Sequence, residues 1–245
     1  MKNKKLKATL SITGYFLLLL ALCFVGVLVF HSYYYESVYI SGPSMLPTLK
    51  GEDHEHEDSI VDFGIVDTHK SAINHIKRFD IVSTYFPDDY NSEAHLVANA
   101  RKKIKRVIAM PGETFTIKDG LLSVKKGEEF VEVPYTFKIT LNTYKDTQEP
   151  VALGENEYWV LGDNRTSASS SRDCATFKKP IKKEYIAGVL VAIEGQAKLK
   201  EAARQCDTCG KKFKSKSGDT CTKCGGTLNP VYGLKEKKYH WPKFF

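Results

Sequence analysis

From Ala8 to Phe30 the chain carries no charged side chain, and the run closes on LLLLALCFVGVLVF. As one α-helix such a run crosses a hydrocarbon core of about 30 Å at about 1.5 Å per residue. Lys2, Lys4, Lys5 and Lys7 precede it without an acidic neighbour, and Tyr33, Tyr34 and Tyr35 follow it like an interfacial belt. A cleavable signal peptide is the competing reading. The apolar stretch exceeds the roughly 7 to 15 residues of such a peptide's core and no small-x-small cleavage site follows, which favours an uncleaved anchor. The amino terminus, residues 1–7, is then expected in the cytoplasm, with residues 8–30 in the membrane and everything after them outside.

The remainder has ordinary globular composition, with 42% hydrophobic and 27% charged residues, so disordered and fibrous classes are excluded. Charge is uneven. Residues 196–245 hold twelve Lys/Arg and four Asp/Glu, a balance of 12 − 4 = +8 against +7 for the whole chain. A segment of that sign is attracted to anionic lipid headgroups, although a solvated, solubilising tail reads equally well. Nucleic acid is not an expected partner, because the tail lies across the membrane from the cytoplasm.

Between the anchor and residue 195 the pattern is mostly β. SVYI (37–40) runs into a Gly/Pro-rich bend, SGPSMLPTLKG, where a regular helix is forbidden. SIVDFGIVD (59–67), FDIVSTYF (79–86), EYWVLGDNR (157–165) and IAGVLVAI (186–193) have the β-branched and aromatic content of strands, and the Asp-Gly turn within TFTIKDGLLSV (114–124) marks a hairpin. A short helix is expected in HKSAINHIKR (69–78). In KKIKRVIAMPG, strand alternation places Lys105 on the same face as Val107 and Ala109.

Ser44 lies on the bend, where a nucleophile is exposed. A serine hydroxyl needs a base to take its proton, and none of the seven histidines is convincingly placed. Lysine serves if burial or a nearby cation lowers its pKa from about 10.4 toward neutrality, and Lys105, set in apolar sequence beside Arg106, fits that demand.

Four segments in order resemble the bacterial type I signal peptidases: SMLPT (44–48) for the family's serine box, RFDIV (78–82) for R-G-D-I-V, KRVIAMPGE (105–113) for the lysine box, and GDNR (162–165). The resemblance covers roughly residues 1–195. It implies a curled antiparallel β domain, Ser44 as nucleophile, Lys105 as general base, and no catalytic cofactor. It also implies an oxyanion hole from the Ser44 backbone N–H and a group at Gly42, with Met45 walling the site and Asp163, Arg165 and Arg172 supporting it. The substrates implied are exported preproteins cut after small residues, with the export machinery as a further partner. One box departs from the pattern: after GDNR comes TSASSSR, placing Ala168 where the family has a serine and Ser170 where it has an aspartate. That departure motivates a competing reading, a catalytically inactive relative acting as a membrane-anchored binding module. About 45 residues separate the lysine box from GDNR, which leaves little room for a large inserted cap.

Past the domain of residues 36–195, residues 196–204 read as a linker, 205–229 as a zinc-ribbon-like module, and 230–245 as a basic aromatic tail. Cys206, Cys209, Cys221 and Cys224 form two C-x-x-C-G knuckles, the spacing of a closed tetrahedral structural zinc site; two disulfides are the alternative outside the cytoplasm. Cys23 reads as lipid- or helix-facing, Cys174 as a small packing residue rather than a nucleophile, and His54 and His56 as part of an exposed acidic loop.

Overall fold

The apolar run forms one helix, α1 (Lys2–Tyr34), whose side chains from Leu17 to Phe30 are all exposed, as those of a lipid-facing span would be. The structure is a computed structural model describing residues 2–51, 59–89, 96, 100–139, 142–166, 173–215 and 217–245, with side chains from residue 13 onward. The expected acidic loop, with His54 and His56, and the TSASSSR residues 167–172, with Ala168, Ser170 and Arg172, lie outside the described residues. The chain divides into two units, Met1–Glu36 and Ser37–Phe245.

The second unit is built on antiparallel strands, as the alternating β-branched segments predict. Among the described residues its larger sheet has nine strands. The order runs β1 (Tyr35–Tyr39), β2 (Ile60–Asp67), β11 (Ile186–Cys206), β3 (Ile81–Thr84), β4 (Lys103–Ala109), β9 (Glu157–Leu161) and β10 (Ile181–Lys182), with β12 (Lys212–Lys214) and β13 (Leu228–Phe244) paired to β11. Register shifts in the β11–β2 ladder at Leu190/Ala192 and Ile193/Gly195 insert extra residues. Such bulges bend and twist a ladder, which is how this sheet curls. The segment between the lysine and GDNR boxes forms a smaller four-stranded sheet in the order β7 (Glu129–Glu132), β6 (Leu121–Lys126), β5 (Thr114–Lys118), β8 (Val151–Ala152). The expected Asp-Gly hairpin joins β5 to β6, with φ of 51° at Asp119 and 76° at Gly120 as a tight two-residue turn requires. Among the described residues of this unit the α-helices are α2 (Lys70–Asn74) and α3 (Cys174–Phe177).

Residues 196–204, expected as a linker, continue β11, and residues 230–244 of the expected basic aromatic tail (230–245) lie in the strand β13, hydrogen-bonded along β11 from Ala192 to Cys206. Alternation was hard to see there because both strands are broken by register shifts and studded with lysine. The simple alternation expected around Lys105 does not hold. A register shift between Val107 and Ala109 interrupts the alternation, and both Lys105 and Arg106 are buried.

Two apolar clusters position the site. One joins β4 and β9 to the smaller sheet around Phe86, Phe115 and Trp159. The other, Ile40, Met45, Leu49, Val66, Ile81, Leu190 and Ile193, lies beneath the Ser44 bend. Met45 is fully buried in it, a burial that stabilises by about 1.5–3 kcal/mol and fastens the bend down.

The bend is strapped at both ends by one residue. Ile40 N donates to Asp62 O at 2.8 Å, Asp62 N donates to Lys50 O at 2.8 Å, and Lys50 N donates to the Asp62 carboxylate at 2.6 Å. Gly51 permits this closure, since a Cβ there would stand 2.9 Å from Ile40 O and closer still to Gly42 O, both backbone atoms that cannot yield cheaply. Gly42 differs. A Cβ there meets open space, and only its φ of 79° opposes a side chain. Gly51→Ala is therefore expected to destabilise the protein by about 3 kcal/mol, the top of the overpacking range because both atoms struck are backbone, and more than Gly42→Ala, where only the glycine-favouring backbone of φ 79° and ψ 164°, costing of order 1–3 kcal/mol, stands against the side chain. Thermal unfolding of the two detergent-solubilised variants checks the ranking, and equal stability would show that the bend is not held by this close approach.

Candidate active site

Ser44 sits in a single 3-10 turn, Pro43–Met45, entered through Gly42. The turn's only internal bond is Leu46 N to Pro43 O at 3.0 Å, so the Ser44 N–H, in the first turn, has no partner within the helix. Lys105 arrives from the middle of β4, where it pairs with Val82 of β3. Its Nζ stands 2.9 Å from Ser44 Oγ and donates to Ile104 O at 2.8 Å. The two residues expected to form a dyad are thus in contact.

Lys105 is 4% exposed. Burial penalises the charged amine and lowers its pKa to about 8, the largest influence upon it; the carboxylates of Asp173 and Asp163 act in the opposite sense, and the cations of Lys103 and Lys145 add to the lowering. Of the two causes open at the sequence level, burial dominates over a cationic neighbour. Arg106 is neutralised by its own partner. Its Nε and Nη2 donate to the two Asp163 oxygens at 2.8 and 2.6 Å, a bidentate pair with side chains 5% and 0% exposed. The guanidinium also lies 3.9 Å from the centre of the Phe137 ring and donates to Phe79 O at 2.8 Å.

The GDNR turn reaches the bend directly. Asn164 N donates to Ser44 O at 3.0 Å, and Asn164 Nδ2 donates to Pro43 O at 3.1 Å. Arg165, fully buried, donates from Nη1 to the Tyr135 hydroxyl at 3.0 Å and from Nε to Gly162 O at 3.4 Å. Asp163 and Arg165 therefore lie within the network around the bend. Arg172 falls outside the described residues.

Several of these residues carried no sequence signal as a group. Arg106 and Asn164 lie inside recognised motifs, so their presence was legible although their partners were not. Asp62, Tyr135 and Phe137 were missed, as was a buried ion pair, Lys145 Nζ to Asp173 Oδ1 at 3.3 Å, with side chains 1% and 0% exposed. Asp173 Oδ2 also accepts the Gly162 N–H at 3.1 Å.

The four cysteines converge at the far end of β11. Their sulfur atoms all lie within 4.8 Å of one another, with Cys206–Cys224 at 3.4 Å and Cys209–Cys221 at 3.7 Å. Thiolates on a tetrahedral zinc at about 2.3 Å stand roughly 3.8 Å apart, so the cluster fits a closed metal shell. Cys209 N–H points at Cys206 Sγ at 3.5 Å, and this contact leads the lowering of that thiol to about 7. Four close cysteines of this kind can hold a metal ion. Cys174, by contrast, is fully buried and burial pushes its thiol above the ordinary range, which makes it inert.

Comparison with known proteins bears on the same region. A family profile described as signal peptidase, peptidase S26, matches residues 12–193. Signal peptidase I T of Bacillus subtilis (strain 168) is 30% identical over 152 residues, 60% of this chain and 68% of that protein. Signal peptidase I of Bacillus amyloliquefaciens is 30% identical over 153 residues, with coverage of 60% and 68%. Among solved structures, a signal peptidase I from Enterococcus faecalis V583 is 25% identical, covers 47% of this chain and 96% of its own, and superposes with a TM-score of 0.34. The profile ends at residue 193, so the cysteine cluster and β13 lie beyond it.

Proposed function

The chain belongs to the signal peptidase family, peptidase S26, serine endopeptidases that act on exported preproteins, and we propose that it cleaves signal peptides with Ser44 as nucleophile and Lys105 as general base. The observation that carries this assignment is the 2.9 Å approach of a buried amine to the half-buried Ser44 hydroxyl. Lys105 in its neutral form takes the Ser44 proton as Oγ attacks the scissile carbonyl, and the resulting ammonium returns that proton to the leaving amine. The free amine then takes a proton from water, which attacks the acyl-serine ester and releases the second product, restoring the hydroxyl. The Ser44 N–H, together with a group at Gly42, is assigned to the developing oxyanion; one such donor is typically worth about 2.7–4 kcal/mol in the transition state. Asp163 and Arg165 hold this arrangement from below, and Met45 anchors the bend in the core. No cofactor enters any step.

The apolar helix and the family agree on a membrane-anchored protein. We assign the basic amino terminus to the cytoplasm and the β domain to the outer face, where a signal peptide's end emerges. For the cysteine cluster we propose a structural zinc, since four thiolates fill a tetrahedral shell and leave no position for water. Lipid is proposed as a further partner. β13 exposes Tyr239 at 66%, Trp241 at 88% and Phe244 at 74% among Lys235, Lys237, Lys238 and Lys243, the aromatic and cationic mixture suited to an anionic bilayer interface.

Ser44→Ala and Lys105→Met are each expected to reduce cleavage of a model preprotein by several orders of magnitude while the circular dichroism spectrum stays unchanged; near wild-type turnover in either sinks the dyad. Because the base works as the free amine, kcat/KM should rise with pH through about 8, and a pH profile whose acid limb lies far from there would contradict the assignment. Purified protein should carry equimolar zinc that is lost in Cys209→Ser/Cys221→Ser; cysteines found oxidised and metal-free would replace zinc by disulfides. Of the two tryptophans, Trp159 is buried at 4% exposure, so fluorescence quenching by brominated acyl chains reports Trp241. Quenching in anionic vesicles, lost in Trp241→Phe, is expected, whereas an unquenched Trp241 excludes lipid contact.

A further inference from the structure

We infer that Lys145 and Asp173 are a positioning pair for the proposed Ser44/Lys105 dyad, holding the Gly162–Asn164 turn against the bend and setting the charge balance at the lysine. The inference rests on the dyad assignment. Its starting point is the departure at Ser170, where the resemblance leads one to expect an aspartate.

Asp173 is fully buried, three residues beyond that position, and its carboxylate is shared among groups that matter to the site. Oδ2 accepts the Gly162 N–H at 3.1 Å; Oδ1 accepts the Thr176 N–H at 3.2 Å and faces Lys145 Nζ at 3.3 Å. Lys145 Nζ donates in turn to Thr176 Oγ1 at 3.0 Å. From Gly162 the chain continues into Asp163, which binds Arg106 beside Lys105, and into Asn164, whose two bonds hold Ser44 O and Pro43 O. The pair thus reaches both members of the dyad through three consecutive residues.

Its burial also argues for more than stability. Taking two charges out of water is costly, and apolar residues of the same volume often serve stability as well. A charged pair beside a titrating amine has an electrical effect that an apolar pair lacks. The charged groups facing Lys105 are Asp173, Lys145, Lys103 with its partner Asp89, and Asp163 with its partner Arg106. Among them Asp173 acts most strongly, favouring the ammonium form, and Lys145 opposes it. Removing either charge should therefore displace the lysine in opposite directions.

The test is the pH profile of kcat/KM for preprotein cleavage by full-length, detergent-solubilised wild type, Asp173→Asn, Lys145→Met and the double variant. Asp173→Asn keeps an oxygen to accept the Gly162 N–H, so it removes the charge and leaves the anchor. Its acid limb should move to lower pH by about half a unit, retaining about threefold more of plateau activity below the limb. Lys145→Met should move the limb to higher pH, and the double variant should return it toward wild type. Limbs that stay in place while activity falls equally in all three variants would reduce the pair to packing and overturn the inference. Should a single variant fail to fold, the double, which leaves no unpaired buried charge, is compared with the surviving single: a limb in the double at the same pH as in that single overturns the proposal. Turnover persisting in Lys105→Met would instead remove the dyad itself, an outcome distinct from unmoved limbs on a Lys105-dependent enzyme.

Discussion

Everything around the bend answers to the burial of one amine. Lys105 must be dry enough to lose its proton near pH 8, yet it lies in a cluster of other ionisable groups whose charges cannot be left uncompensated in the same low-dielectric region. The chain meets this by pairing three neighbouring cations each with its own acid: Lys103 with Asp89 at 2.8 Å, Arg106 with Asp163 at 2.6 Å, and Lys145 with Asp173 at 3.3 Å. Each pair is close to electrically neutral at a distance. The desolvation of Lys105 therefore prevails over the net field of its surroundings, and the same pairs fasten β4, the GDNR turn and the segment before α3 together.

The second organising element is β11. Its first residues pair with β3, which carries Val82 opposite Lys105. Its middle supplies Gln196, whose Nε2 donates to Asp62 Oδ1 at 2.9 Å and so steadies the residue that straps the Ser44 bend. Its last residue is Cys206. A strand of 21 residues, paired beyond the sheet's body mainly with the 17-residue β13, is an extended ribbon whose end would fray without closure. The cysteine cluster supplies that closure, with the Cys206 N–H and Leu228 N–H bonded to Lys211 O and Asp219 O at 3.0 and 2.8 Å. The cysteine module is therefore an extension of the sheet that holds the bend, rather than a bead on a tether.

How much of this was legible from sequence depended on whether the cause was local. The apolar span, the Asp-Gly hairpin, the strand segments and the cysteine knuckles each announce themselves within ten to twenty residues, because periodicity and turn chemistry are short-range. Ser44, Lys105 and GDNR were legible as motifs. What could not be read was the pairing of Lys145 with Asp173 across 28 residues, or of Asp62 with both ends of the bend, since nothing in the surroundings of a lone lysine or aspartate says which opposite charge the fold will bring to it. The continuation of β11 and β13 was obscured for a related reason: an edge ribbon rich in lysine has the composition of a solvated segment, and only its partner strand makes it a strand.

Phe79 shows how a departure from a family pattern is accommodated. It occupies the glycine position of the R-G-D-I-V motif and adopts φ of 74°, a conformation that costs a bulky residue about 1–3 kcal/mol. The backbone there cannot relax, because Phe79 N donates to Val107 O at 2.8 Å and Phe79 O accepts from Arg106. In return the ring packs against Tyr135 and Phe137, with centroids at 5.8 and 5.3 Å. Aromatic pairs in this range are worth about 0.5–1.5 kcal/mol each beyond their buried area, enough to offset much of the strain. The same two rings carry the site's arginines, Phe137 beneath Arg106 and Tyr135 beside Arg165. A glycine at 79 would relax the backbone but leave that aromatic floor unsupported, so in this chain the strained phenylalanine and the two arginine-bearing rings form a single unit of structure.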